Sequence, residues 1–121
     1  MRVIRQKDAL HEDATNAPLF YGGKVTRVPI VGGDTSTNFN FAIVEFEAGA
    51  KNKFHSHTSD QILFGTSGTG IVANEHEEIV MKAGDTAHIP AGEKHWHGAT
   101  DTSDFAHISL TRPDSTTTAY D

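Results

Sequence analysis

FHSHTSDQILFGTSG, residues 54–68, sets two histidines one residue apart, a glutamine four residues on and two glycines beyond it. In an extended strand successive side chains point to opposite sides, so His55 and His57 share a face. Two imidazoles so placed form half of a metal site. Four residues past His57 stands the amide of Gln61, which is neutral.

The surrounding chain repeats the same extended rhythm. Short runs rich in Val, Ile, Phe and Thr are broken at close spacing by Gly, Pro, Asn and Asp, and helical periodicity is almost absent, which reads as an all-β sandwich or barrel. Strands are expected at 24–31, 38–47, 53–57, 60–66, 69–74, 77–82, 85–90, 94–99 and 104–112, with Gly22, Gly23, Gly32, Gly33, Gly49, Gly65, Gly68, Gly84 and Gly92 in the loops. Residues 1–20 are less patterned and read as an arm or an edge strand that pairs with a second subunit. Residues 21–121 then form one barrel, with no internal repeat and no linker.

Bulk properties narrow the function classes. At 121 residues the chain suits one domain with a real core. A formal net charge of −6 argues against a nucleic-acid duplex or an anionic membrane as partner. No apolar run follows Arg2, Arg5 and Lys7, and no window reaches the length of a membrane span, so a cytoplasmic protein is expected. With no cysteine there is no disulfide, thiolate ligand or cysteine nucleophile.

Period two also decides which side chains meet. His95 and His97 share a face, as do His107, Ser109 and Thr111, and as do Asn40, Ala42, Val44 and Phe46. Six of the eight histidines (55, 57, 88, 95, 97 and 107) fall in the strand-rich middle and end. A small barrel lumen holding one ion or ligand explains that concentration better than a solvated surface does.

Two glycine-bounded blocks carry a resemblance. Gly49, five residues, His55-x-His57, three residues, Gln61, six residues, Gly68 is the first; Gly84, five residues, Pro90-x-Gly92, two residues, His95 is the second. Together they resemble the paired signature of the cupins, small jelly-roll (double-stranded β-helix) barrels with an internal metal. The resemblance implies that His55, His57, Gln61 and His95 are the ligands of one divalent ion. It departs from the broad pattern where Gln61 replaces a glutamate and Ala99 an asparagine. An amide leaves the ion's charge uncancelled, so open positions favour an anion and acidify a bound hydroxyl more strongly. Alternatively Gln61 only hydrogen-bonds beside the site.

HWHGA, residues 95–99, with His107 beyond it, is similar to a bacterial cupin subgroup that also carries glutamine. That subgroup includes manganese-dependent hydroxynitrile lyases and carboxymuconolactone-decarboxylase-associated cupins. The resemblance implies Mn as the ion, with Fe, Zn, Ni or Co as alternatives, a small organic substrate and a homodimer or homotetramer. In a lyase of this kind the substrate hydroxyl passes its proton to a histidine and the bond to cyanide breaks. His107 is the candidate base and His97 a second imidazole nearby; each is otherwise a buried histidine tied to a neighbouring strand. Ala42, Val44, Phe46, Leu63 and Thr111 are candidate pocket walls or plain barrel core. Trp96, on the face opposite His95, reads as packing. Two other readings stand beside the lyase: an oxygen-using metalloenzyme and a non-enzymatic metal or ligand binder.

Overall fold

The computed structural model describes residues 1–120. A 3-10 turn (Gln6–Asp8) precedes twelve strands: β1 (Glu12–Asp13), β2 (Phe20–Tyr21), β3 (Val25–Val31), β4 (Asn40–Phe46), β5 (Lys51–Asn52), β6 (His55–His57), β7 (Gln61–Asn74), β8 (Glu78–Lys82), β9 (Thr86–Ile89), β10 (His95–Ala99), β11 (Phe105–Thr111) and β12 (Thr117–Ala119). The protein is all-β, a curled sheet whose layers share β7. One layer runs β1-β3-β4-β11-β7 and carries β9 on the far side of β7; the other joins β7 to β8, and to β10, which continues through β5 to β2. Strand β6 pairs with β10 on one side and β12 on the other.

The strands expected at 60–66 and 69–74 are one strand, and Gly65 and Gly68 lie inside it rather than in loops. Its first half pairs with β9 and β11, its second with β8 and β10. The change of layer falls at the glycines, beside a register shift between Ala106 and His107. Gly68 has φ +72°, and a Cβ there would overlap the Asp104 carbonyl oxygen. Gly68→Ala is therefore expected to lose about 2–4 kcal/mol, read as a lowered denaturation midpoint; an unchanged midpoint would contradict this turn geometry.

The sequence reading also missed β12, because the tail DSTTTAY has no apolar alternation, yet β12 pairs along β6 with Thr117 opposite His57 and Ala119 opposite His55. Within residues 1–20, Glu12 and Asp13 pair with Arg27 and Thr26 of the same chain. Asp121, the last residue of the expected barrel, lies outside the described residues. The apolar core gathers Val25, Val44, Phe46, Leu63, Met81, Ile89 and Phe105. Buried beside it is a second, polar cluster: Asn52, His55, Gln61, His95, His97 and His107.

Candidate metal centre

The short strand β6 brings His55 and His57 to the interior, and β10 sets His95 directly opposite His55. Ring centroids lie 5.0 Å apart for His55–His57, 4.3 Å for His55–His95 and 5.5 Å for His57–His95. Each ring is oriented by its outer nitrogen. His55 Nδ1–H donates to the Lys53 carbonyl at 2.7 Å, and His95 Nδ1–H to the Glu93 carbonyl at 2.8 Å. A carbonyl can only accept, so Nε2 of both rings carries a lone pair facing inward. His57 Nδ1 lies 2.9 Å from Thr117 Oγ1 on β12, and its Nε2 is buried with no hydrogen bond among the described residues.

Gln61 completes the set. Its amide nitrogen donates to Ser109 Oγ at 2.9 Å, which turns Oε1 toward His95 Nε2, 3.0 Å away. With the only His95 proton on Nδ1, these two facing atoms are both acceptors. Acceptors crowded in a buried site, next to an unpartnered imidazole nitrogen, are what a bound cation relieves. The residues present therefore fit a divalent ion.

Burial is the main cause that holds these imidazoles neutral. It pushes His55 down to about 3 and His57 to about 4, each helped by neighbouring imidazoles, and lowers His95 although its contact with Glu93 opposes the shift. Ligation at neutral pH then displaces no imidazolium proton. Because Thr117 orients His57 from the facing strand, Thr117→Val is expected to weaken metal binding about 10–100-fold at unchanged fold. Equal affinities of the variant and the parent in a metal titration would remove β12 from the site.

His97 and His107 form a buried pair behind the cluster, with His97 Nδ1 3.0 Å from His107 Nε2. Desolvation drives His97 well below its ordinary value and His107 to about 4. Asn52 braces His97: its Oδ1 accepts the His97 backbone N–H at 2.9 Å. Its amide nitrogen is 3.1 and 3.4 Å from the two ring nitrogens, which places it over the ring face rather than along a lone pair. By proximity alone, His55, His95 and His97 form a three-imidazole group whose nitrogens lie within 4.8 Å of one another. His97 thus stands beside the ligand cluster.

A cavity of about 190 Å³ opens onto the cluster and is lined by His55, His57, Gln61 and His97. Of the expected pocket walls, Val44 and Thr111 line it. Phe46 and Leu63 instead belong to the core, where Phe46 packs on the rings of His97 and His107. Ala42 is buried on β4 between Asn40 and Val44. His107 is fully buried and does not line the cavity, so the imidazole that faces it is His97. Arg27, Asn52, Ser109, Ser115 and Thr117 line the cavity and were not singled out from sequence. Arg27 had a signal, since it shares the inward face of β3 with buried Val25. Trp96 lies partly buried under Lys51, and His88 is an exposed partner of Asp60 at 2.8 Å. Of two larger grooves, one of about 530 Å³ reaches His95 from the side of β8 and β9, and one of about 660 Å³ touches none of these histidines.

A β-barrel with an internal histidine cluster able to hold one metal ion defines the class. This chain belongs to the cupin family, whose domain matches residues 42–110. It is 40% identical over 70 residues to the (R)-mandelonitrile lyase of Granulicella tundricola, an alignment covering 57% of this chain and 53% of that enzyme. The match thus spans about half that relative's length. Among solved structures, a cupin-like protein of Thermotoga maritima superposes at TM-score 0.82 and 25% identity, covering 99% of this chain and 89% of that one. The polyketide cyclase RemF of Streptomyces resistomycificus gives TM-score 0.87 at 13% identity over 100% and 86% of the two chains, a likeness of fold. No helix among the described residues is long and apolar enough to cross a membrane.

Proposed function

We propose that the chain is a metal-dependent lyase of the hydroxynitrile lyase type, splitting a cyanohydrin into a carbonyl compound and cyanide, with Mn as the preferred ion held by His55, His57, Gln61 and His95. The observation that carries this reading is the set of inward imidazole nitrogens of His55 and His95, with the Gln61 oxygen 3.0 Å from His95 Nε2 and the buried His57 Nε2, beside a small cavity. The 40% identity to a mandelonitrile lyase supports the choice of reaction.

When bound, the ion supplies a Lewis acid that lowers the pKa of the substrate hydroxyl. The chain's residues do the rest. His97 faces the cavity and accepts the hydroxyl proton at Nε2, its ring held by Asn52 and its Nδ1–H donating to His107 Nε2. The electron pair of the C–C bond leaves with cyanide as the carbonyl forms, and the proton on His97 passes to cyanide to give HCN. Burial holds His97 neutral, which leaves its Nε2 lone pair free to accept the proton.

The test is release of benzaldehyde from mandelonitrile by Mn-loaded protein at mildly acidic pH, with oxygen uptake followed in parallel. No lyase activity above buffer in loaded protein would overturn the reading. His107→Ala is expected to keep the metal and to lower kcat by about 10²-fold, the scale of one lost acid–base contribution. A rate equal to the parent's would remove the His97–His107 pair from the proton path.

A further inference from the structure

Among the described residues no aspartate or glutamate lines the cavity. The ligand set proposed above is itself uncharged, so nothing in the cavity wall offsets positive charge. The wall instead includes Arg27, whose guanidinium makes a single ion pair, 3.6 Å to Glu12, and no side-chain hydrogen bond among the described residues. That pair is more than a third exposed on both sides and holds the arginine weakly. A second donor is Ser115 Oγ, buried without a hydrogen bond among the described residues, on another part of the same wall. Thr111 Oγ1 already accepts from Asn40 at 3.2 Å, which leaves its hydroxyl proton free to donate.

We infer that the cavity takes a small organic carboxylate bearing a hydroxyl or carbonyl oxygen, with the carboxylate received by Arg27 and Ser115 and the other oxygen turned to the imidazole cluster. This rests on the reading of the cavity as the substrate site and gives that site its substrate class: the cyanohydrin of an oxo acid, or the oxo acid itself. A planar guanidinium suits a carboxylate because it can donate two parallel hydrogen bonds. The small volume favours a ligand well below drug size. A purely apolar cyanohydrin would leave the Ser115 hydroxyl buried and unpaired and Arg27 unused.

The experiment compares 3-hydroxypropanoate with its neutral counterpart 3-hydroxypropanamide by calorimetry, on metal-loaded and metal-free protein. The acid is expected to bind roughly ten- to a hundredfold tighter than the amide, the scale of one charge-assisted hydrogen bond. Arg27→Gln should abolish that preference in both forms of the protein, and Arg27→Lys should keep part of it. Glu12→Gln, which frees Arg27 at an exposed position, should tighten acid binding several-fold. No preference for the acid in the parent protein would overturn the proposal. So would a preference that survives Arg27→Gln, since the anion would then be held elsewhere. Metal analysis and the mandelonitrile assay on the parent protein test the lyase reading separately, so the two failures are distinguishable.

Discussion

His95→Ala is expected to lower affinity for a divalent ion by about two orders of magnitude and to remove the metal-dependent activity with it. Structural zinc sites of four ligands gain roughly 10–16 kcal/mol from the ion, so one ligand there accounts for about 3 kcal/mol, near a hundredfold. His95 stands opposite His55 and 3.0 Å from Gln61 Oε1. His57→Ala should have a comparable effect, because it removes the buried nitrogen that has no other partner. His97→Ala separates the two three-imidazole groupings: it should keep near-stoichiometric metal while losing turnover. Metal loss with His97→Ala and retention with His57→Ala would move the centre to His55, His95 and His97.

Acid should unfold the metal-free protein over a narrow range. His55 is held near 3, His57 and His107 near 4, and His95 and His97 are lowered as well, all from an ordinary value of 6.5. Below about pH 6.5 the unfolded chain binds protons at these rings that the folded chain refuses, so stability falls as pH falls. The loss continues until the folded groups titrate, near pH 3–4. Each deeply buried ring contributes about 1.4 kcal/mol per pH unit in this window, so His55 and His107 together give about 3 kcal/mol per unit, and His57, His95 and His97 add in the same direction. Against a domain stability of about 5–15 kcal/mol, cooperative unfolding near pH 5 is expected. A metal bound at a hundred times its Kd adds about 2.7 kcal/mol and should lower the midpoint by roughly half a pH unit. Circular dichroism across pH 7 to 3 checks both points, and a metal-free protein still folded at pH 4 would contradict the buried neutral cluster.

What the sequence made legible was what spacing controls. The His55–His57 alternation follows from strand geometry alone, and Gly49, Gly84 and Gly92, all at positive φ, punctuate the blocks that carry the ligands. What it left hidden depends on closure of the sheet. The Lys53 and Glu93 carbonyls that orient His55 and His95 are backbone groups, invisible to residue patterns. Thr117 reaches His57 only because a tail of small polar residues pairs along β6. The order of His97 and His107 relative to the cavity was likewise open, since both rings sit on inward faces and only the packing of β11 against β4 and β7 sets His107 behind. Phe46 and Leu63 shared the inward parity of true cavity walls, but their bulk fills the core instead.

The most direct test of the metal centre is a titration of metal-free protein with Mn²⁺ at neutral pH, followed by calorimetry and metal analysis, alongside His55→Ala and His95→Ala. One ion per chain in the parent, and about a hundredfold or greater loss of affinity in either variant, is the predicted result. Substoichiometric binding in the parent, or unchanged affinity in both variants, would contradict it.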